Sequence, residues 1–256
     1  MKIRIIVATH KPYRMPENSP YLPLLVGAEN NKPTWTGRRD NEGENISAKN
    51  PHYCELTGLY WAWKNLDADY VGLVHYRRHF SDGKPWKKKW DRIITEDELK
   101  EHLRQADILL PKPRHYWIET NYSQYVHAHH AEDLEQTSKI LREKYPDYVP
   151  AFEKSMRKRS GHRFNMMVMK KELLDQYCAW LFDVLQELEN ALDISGYNKN
   201  DQRVFGFVGE RLLDVWLETN RLTYKNIPYV FMEKQGWIGK VLRFIGRKIQ
   251  AEKTEK

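Results

Sequence analysis

The sequence has few cysteines and no long apolar run, and these absences exclude several classes of protein. Two cysteines, Cys54 and Cys178, are too few for the disulfide framework of a small secreted domain. Both lie in apolar contexts, which predicts buried thiols in a reduced, cytoplasmic compartment. No run approaches the roughly 18–20 apolar residues that span a bilayer, and residues 3–8 lack the cleavage site of a secretory signal. The sequence therefore predicts a soluble or peripheral protein.

Several ligand-binding motifs are also missing. The sequence has neither the G-x-G-x-x-G fingerprint of dinucleotide folds nor the phosphate-binding loop of nucleoside triphosphatases, which disfavours both classes. It has no Cys/His zinc pattern and no Gly-x-Ser-x-Gly nucleophile elbow. No internal repeat or low-complexity segment is present, so a repeat architecture is excluded as well.

What is present suits a substantial folded domain with an anionic partner. The 256 residues are 41% hydrophobic and 12% aromatic, enough to fill the core of one α/β domain. Forty-two Lys and Arg against 35 Asp and Glu leave a net charge of +7. Nucleic acid, an anionic membrane and a nucleotide-linked metabolite all satisfy that charge.

Short apolar runs alternate with helical periodicity along the chain. The runs predict strands at residues 2–8, 69–74, 106–110, 164–169 and 229–231. The periodicity predicts helices at residues 50–65, 95–105, 131–145, 172–192 and 202–217. Residues 13–50 carry little periodicity and predict a long loop. This order is typical of a single α/β sheet domain.

The strand at residues 69–74 runs directly into His75, Tyr76, Arg77 and Arg78. A strand this hydrophobic is predicted to be buried on both faces, so its end delivers polar groups to the rim of a central sheet, where ligands bind in open α/β folds. Two adjacent arginines are costly to hold there unless an anion meets them, and phosphate is the usual candidate. The segment therefore predicts a phosphate-bearing substrate.

Other polar residues come at or near predicted strand ends. Thr9, His10 and Lys11 follow the first strand and offer a hydroxyl, an imidazole and an ammonium, although such residues also simply cap turns. Glu55 lies in the apolar helix that begins at Asn50, and a buried carboxylate needs a partner. Arg77 or Arg78 could supply it, either around a ligand or as a structural ion pair.

Two further groups suit sugar recognition. His127, His129 and His130 lack acidic or thiol partners at metal-ligand spacing, so an acceptor-facing loop is favoured over a metal site. Asn165 heads a predicted strand, and Asp201 with Gln202 precedes a helix. An amide and carboxylate beside a sheet edge suit hydrogen bonds to sugar hydroxyls, and each segment is also an ordinary turn by itself.

These segments together resemble a bacterial capsular and exopolysaccharide biosynthesis family that is catalogued as a domain of unknown function. The resemblance covers roughly residues 2–231. It implies a GT-A-like glycosyltransferase: a single Rossmann-like α/β domain with a mixed central sheet flanked by helices, which binds a nucleotide sugar. The segments that carry it are Thr9–Lys11, Tyr53–Thr57, Tyr60–Asn65, His75–Phe80, Phe164–Met166 and Gly206–Leu212.

The resemblance also implies roles for individual residues. Asp201 is the expected catalytic base or donor-sugar ligand. Glu210 is the second candidate, although its place on a helix beside Arg211 favours a structural ion pair instead. His162 joins the three histidines above as an acceptor-binding residue. Residues expected at the donor nucleotide are Thr9, His10, Lys11, Asn50, Glu55, His75, Tyr76, Arg77, Arg78, Asn165 and Gln202.

One departure from the GT-A pattern concerns the metal. Where those enzymes carry an Asp-x-Asp motif, this sequence reads His75-Tyr76-Arg77. Arg77 and Arg78 can meet the same electrostatic need at the departing diphosphate. The sequence therefore leaves two possibilities for the cofactor: no metal ion, or a divalent Mn²⁺ or Mg²⁺.

The last residues form a basic segment. We predict a domain at residues 1–232 and an amphipathic tail at 233–256, which carries seven Lys and Arg against three Glu. Such a tail suits an anionic membrane surface, or else docks on the domain. With the resemblance, it implies a cytoplasmic enzyme, peripheral on the inner face of the plasma membrane.

The resemblance implies transfer of a sugar, galactose or galactofuranose in some members, to a lipid-linked or oligosaccharide acceptor in capsule, exopolysaccharide or O-antigen synthesis. The alternative is a non-catalytic nucleotide-sugar or carbohydrate-binding module on the same fold, because the Asp-x-Asp motif is missing. A nucleic-acid-binding protein is disfavoured, since the sequence holds no recognised binding motif for one.

Overall fold

Strands and helices alternate along the chain in the computed structural model, which describes residues 1–17 and 19–233. The strands are β1 (Ile3–Thr9), β2 (Tyr21–Leu25), β3 (Arg38–Arg39), β4 (Tyr70–His75), β5 (Arg78–Phe80), β6 (Ile108–Pro111), β7 (Arg114–His115), β8 (Ser160–Gly161), β9 (Met167–Lys170), β10 (Lys225–Ile227) and β11 (Tyr229–Phe231). The helices are α1 (Asn50–Tyr53), α2 (Leu56–Asn65), α3 (Glu96–Leu103), α4 (Asn121–Val126), α5 (Ala131–Lys144), α6 (Val149–Arg157), α7 (Lys171–Ala191) and α8 (Val204–Thr219).

A mixed sheet forms the centre of the fold. Its strand order is β10-β6-β9-β4-β1-β2-β3, with β5 paired to the end of β4 and β11 paired to β5. Strands β1, β2 and β4 are parallel, whereas β9 runs antiparallel to both β4 and β6. The amino end of β9 therefore reaches the same sheet edge as the carboxyl ends of β1 and β4. This confirms the predicted α/β class with a mixed sheet flanked by helices.

The apolar side chains of the strands alternate between two cores, one on each face of the sheet. Along β1, Ile6 and Ala8 join the core under α2, α7 and α8, while Ile5 and Val7 join the core under α3. This is the period-2 alternation of a strand that is buried on both faces. Gly72 in β4 allows β9 to come close, because a Cβ there would lie 2.8 Å from the Met167 carbonyl oxygen.

Two parts of the fold differ from the sequence-based predictions. The predicted loop at residues 13–50 contains β2 and β3, and β2 pairs in parallel with β1. Its sequence, YLPLL, has a proline and no alternation, so its strand state depends on the neighbouring strand rather than on its own pattern. The predicted helix at residues 50–65 is broken into α1 and α2 at Cys54, whose φ is +54°.

The predicted tail largely lies outside the described residues, which end at Glu233. The domain boundary at residues 232/233 therefore stays a prediction. Within the described part of the chain, no helix is both long and apolar enough to cross a membrane.

Candidate functional site

A cavity of about 610 Å³ opens at the carboxyl ends of β1, β2 and β4. The last residues of β1 and β4, Thr9 and His75, line it, and so does Val26, directly after β2; α1 and α8 close its other sides. In open α/β sheets this edge is where ligands bind, because loops leave the strands there and side chains converge. Residues that the sequence singled out and that line the cavity are Thr9, His10, Asn50, Glu55, His75, Tyr76, Arg77, Arg78, His129 and Glu210.

Arginines dominate the charge of the cavity wall. Among the described lining residues, two side chains are carboxylates, Glu55 and Glu210. Six are guanidinium groups: Arg77, Arg78, Arg114, Arg163, Arg203 and Arg211. Carboxylates outside the lining balance part of this charge, since Glu233 lies 3.5 Å from Arg77 and Asp214 lies 3.8 Å from Arg163. A bound diphosphate would meet the remaining excess with charge-assisted hydrogen bonds.

Several of these guanidinium groups have spare donors. The Nε atoms of Arg77, Arg78 and Arg211 are buried and have no hydrogen-bond acceptor among residues 1–17 and 19–233. A buried donor without an acceptor costs stability, and proteins rarely leave one without a reason. The wall is thus short of anionic acceptors, which a bound ligand would supply.

Glu55 lies at the inner end of the cavity in a tight polar cluster. Asn165 donates from Nδ2 to Glu55 Oε1 at 2.7 Å, and His75 Nε2 lies 3.7 Å from the same oxygen. His75 Nε2 donates to the Phe164 carbonyl at 2.8 Å. Burial, and then the charge of Arg78, lowers the pKa of His75 to about 4, so its ring is neutral. Glu55 is thus hydrogen-bonded by Asn165 and lies beside the neutral ring of His75. It forms no ion pair with Arg77 or Arg78, the partners that the sequence analysis considered, although the charges of Arg203 and Arg78 favour its ionised form.

The backbone around this cluster is strained. Cys54, Phe164 and Asn165 adopt φ values of +54°, +75° and +51°, a region that non-glycine residues rarely occupy. The two bends bring Glu55 and Asn165 together, and Gly206 of α8 allows the first bend to pack closely, since a Cβ there would lie 3.1 Å from Cys54 Sγ. Strain of this kind is found at functional sites. Because of the bend at Asn165, the strand predicted at residues 164–169 begins only at Met167.

Burial raises the pKa of Glu55, so its ionised form destabilises the fold at neutral pH. We expect Glu55→Gln, which keeps the acceptor for Asn165, to raise the melting temperature by a few degrees near neutral pH. The rise in melting temperature should vanish below pH 4.5, the ordinary pKa of Glu, because Glu55 is then protonated in both the folded and the unfolded protein. It should grow as the pH rises through the higher pKa that Glu55 has in the folded protein. Thermal melts across pH check this. Glu135→Gln on the exposed side of α5 is the control, and a uniform shift at every pH would contradict the assignment.

Asp201 lies outside the cavity lining and contacts it through His129. His129 Nδ1 donates to Asp201 Oδ1 at 2.8 Å, and the side-chain amides of Asn198 and Asn200 donate to the same carboxylate. Burial opposes ionisation of Asp201, but these hydrogen bonds outweigh it and lower its pKa. Asp201 is therefore an ionised group that orients His129 and is already occupied by protein donors.

Three other predicted histidines are not part of the cavity wall. His127 is largely exposed and its Nδ1 contacts Glu119 at 2.6 Å. His130 stacks on Tyr197, with ring centroids 4.0 Å apart. His162 is buried, and its Nε2 donates to Asn226 Oδ1 at 2.8 Å. Their predicted role with the acceptor stays a prediction that the cavity geometry does not favour.

The turn after β1, residues 9–11, has a fixed backbone conformation and places the imidazole of His10 at the cavity. Thr9 Oγ1 donates to the Lys11 carbonyl at 2.6 Å, which fixes the turn after β1. His10 lines the cavity, and burial followed by the charges of Lys11 and Arg77 lowers its pKa. The side chains of Lys11 and Gln202 lie outside the lining, so neither is placed at a ligand by this structure.

The sequence analysis missed four arginines and one tyrosine of the wall, namely Arg114, Tyr116, Arg163, Arg203 and Arg211. Three of them adjoin or lie within segments that it did single out, since Arg163 precedes Phe164, Arg203 follows Gln202 and Arg211 lies within the segment 206–212. Proximity to these segments is the signal that could have found them, because an arginine by itself is usually solvated. Their convergence depends on which elements pack together.

The wall does not suit a divalent cation. Such cations take several oxygen ligands, whereas this lining presents two carboxylates among six guanidinium groups. No group of three potential ligands occurs in the described residues. One Asp-x-Asp sequence, Asp67-Ala68-Asp69, precedes β4 at its amino end, opposite the cavity, and pairs with Lys2. We therefore derive no step through a metal ion.

Comparison with known proteins adds two findings. Residues 4–221 match the family model described as Domain of unknown function (DUF4422). The fold is similar to the solved apo structure of a bifunctional glycosyltransferase, WbbM, with a TM-score of 0.82 and 31% sequence identity. That likeness covers 91% of this chain and 46% of the other, so the chain spans about half the length of WbbM. No curated protein sequence matches.

Proposed function

The chain belongs to the family described as Domain of unknown function (DUF4422), and from this premise we propose that it is a glycosyltransferase that uses a nucleoside-diphosphate sugar. The observation that carries the proposal is the convergence of six arginines on one cavity at the ligand-binding edge of a sheet. The likeness to the bifunctional glycosyltransferase supports the same activity class. A cavity of this size accommodates a nucleotide sugar.

In the proposed reaction, an acceptor hydroxyl oxygen attacks the anomeric carbon of the donor. The bond from that carbon to the diphosphate oxygen breaks, and its electron pair leaves with the diphosphate. Negative charge therefore develops on the leaving group. Arg77 and Arg78, in the turn from β4 into β5, stabilise that charge from a preorganised position.

We propose Glu210 as the base that accepts the proton of the acceptor hydroxyl, in a reaction that inverts configuration. Glu210 lines the cavity from α8, and its carboxylate accepts no hydrogen bond from the described residues. Its nearest cation is Arg211, with Nη1 3.8 Å from Oε2. Asp201, the first candidate from the sequence, has its carboxylate bound by His129, Asn198 and Asn200, so we assign it the positioning of His129.

The finer identity of the substrates rests on the family resemblance. We propose a lipid-linked or oligosaccharide acceptor in the synthesis of capsule, exopolysaccharide or O-antigen, with galactose or galactofuranose as the transferred sugar. The proposed location is the cytoplasmic face of the plasma membrane. The sequence of residues 233–256, basic and amphipathic, supports contact with anionic lipid.

A thermal-shift screen tests the proposal. We expect nucleoside diphosphates and their sugar conjugates to raise the melting temperature, with a stabilisation of about 2.7 kcal/mol at a ligand concentration of 100 Kd. The corresponding nucleosides lack phosphate and should have no effect. The same screen with Mn²⁺ and with a chelator measures the contribution of metal. Absence of a shift with every nucleoside diphosphate would contradict the proposed function.

A further inference from the structure

The segment between β5 and α3 presents a tryptophan to solvent at the tip of a tight turn. The Lys87 backbone N–H donates to the Lys84 carbonyl at 3.2 Å, which closes a β-turn with Pro85 and Trp86 at its centre. Trp86 is 79% exposed, and all residues from Pro85 to Lys89 are exposed. Exposing so large an apolar side chain has a cost, and the cost is removed when a partner covers it.

The base of this segment is held in place, so the exposed tip is not a frayed loop. Trp90 lies under the guanidinium of Arg14, 4.3 Å from the ring centroid, and Asp82 binds the ammonium of Lys87 at 2.8 Å. One tryptophan thus anchors the segment to the fold while the other points away from it. We call residues 82–92 the Trp86 loop.

The charge of the Trp86 loop indicates the chemistry of its partner. It carries five Lys and Arg against two Asp. Lys88 is exposed and forms no ion pair within the described residues. A tryptophan at the head of a cationic loop matches the boundary of an anionic bilayer, where the indole lies at the headgroup level and the ammonium groups meet lipid phosphates.

The position of the Trp86 loop relates it to the cavity. Lys89 Nζ donates to the Glu233 carbonyl at 3.0 Å, and Arg77 Nη1 lies 3.5 Å from a carboxylate oxygen of the same residue. The Met232 N–H also donates to the Arg77 carbonyl at 2.9 Å. The loop, an arginine of the cavity wall and the start of the basic tail therefore meet at one residue.

We propose that the Trp86 loop is a membrane-docking surface within the folded domain, and that its partner is an anionic phospholipid bilayer. The loop inserts Trp86 at the headgroup level while its lysines bind lipid phosphates. This contact is additional to the one proposed for the tail, and it holds Arg77 and the cavity beside the bilayer. Membrane docking by the loop does not depend on sugar transfer.

Vesicle co-sedimentation of the full chain, without any donor, tests the proposal. We expect wild-type protein to bind phosphatidylcholine vesicles that contain phosphatidylglycerol, and to bind pure phosphatidylcholine far less. Trp86→Ala should lower the partition coefficient about fivefold, and Lys88→Glu on the order of tenfold. The matched controls are Trp117→Ala, at a tryptophan that is 82% exposed elsewhere, and Lys139→Glu on α5; both should bind as wild type.

The proposal is overturned by partition coefficients of the Trp86 and Lys88 variants that equal those of wild type. It is also overturned if Trp117→Ala causes the loss instead, or if the protein binds a duplex oligonucleotide and not the anionic vesicles. Because vesicle binding is read without turnover, these outcomes are distinct from failure of the nucleotide screen.

Discussion

Replacing Arg77 with alanine should lower kcat/KM for sugar transfer by about 10²–10³-fold, the usual effect of removing one preorganised donor from a developing negative charge. The fold should survive, because Arg77 is part-exposed and its side chain has one weak ion pair, with Glu233 at 3.5 Å, within the described residues. The measurement is release of nucleoside diphosphate from the donor, with melting temperature recorded in parallel.

Two further variants make the Arg77 experiment specific. Arg77→Lys keeps the charge but not the planar pair of donors, so it should recover only part of the activity. Arg104→Ala, at an exposed arginine directly after α3 that pairs with Glu101, removes the same charge away from the cavity and should leave turnover unchanged. If Arg77→Ala turned over as fast as wild type, the diphosphate would not bind at this part of the wall, and the non-catalytic alternative would be favoured.

Replacing Glu210 with glutamine should lower kcat by about 10²–10⁴-fold, the range expected when a general base is lost. The shape of the side chain is kept and donor binding should change little, because the diphosphate meets the arginines rather than Glu210. Steady-state kinetics and donor affinity, measured on the same preparation, separate loss of chemistry from loss of binding.

Asp201→Asn is the matched comparison for Glu210→Gln. It removes the charge that faces His129 and leaves Glu210 intact, so we expect a smaller loss of kcat and a change in its pH profile through His129. If Asp201→Asn were the more damaging substitution and Glu210→Gln were nearly silent, the base assignment would revert to Asp201.

The fold could be predicted largely from local pattern. The apolar runs at Tyr70–His75 and Ile3–Thr9 identify buried strands, because a strand that is covered on both faces has apolar side chains at nearly every position. The short strand Tyr21–Leu25 could not be found in this way, since its proline and lack of alternation hide it and its neighbour β1 stabilises it. The break at Cys54 was equally hidden, because the helical pattern continues through it.

The candidate site was predictable only in part. The adjacency of Arg77 and Arg78 to a strand end predicted an anion site, and both residues line the cavity. Arg163 and Arg211 do not follow the end of a predicted strand, since one precedes β9 and the other lies within α8. Asp201 attracted attention by its polar surroundings, and those same neighbours occupy its carboxylate.

By itself, the sequence determined the α/β class, the two-sided burial of the central strands and the cationic segment after β4. Each of these features depends on residues that are close together along the chain. The tertiary structure decided which distant groups share the cavity. The antiparallel course of β9 brings Asn165 to Glu55, and the packing of α8 on the bend at Cys54 brings Glu210 and Arg211 to the same wall. Such convergence depends on strand order and close packing between elements far apart in the chain, and no local pattern encodes either.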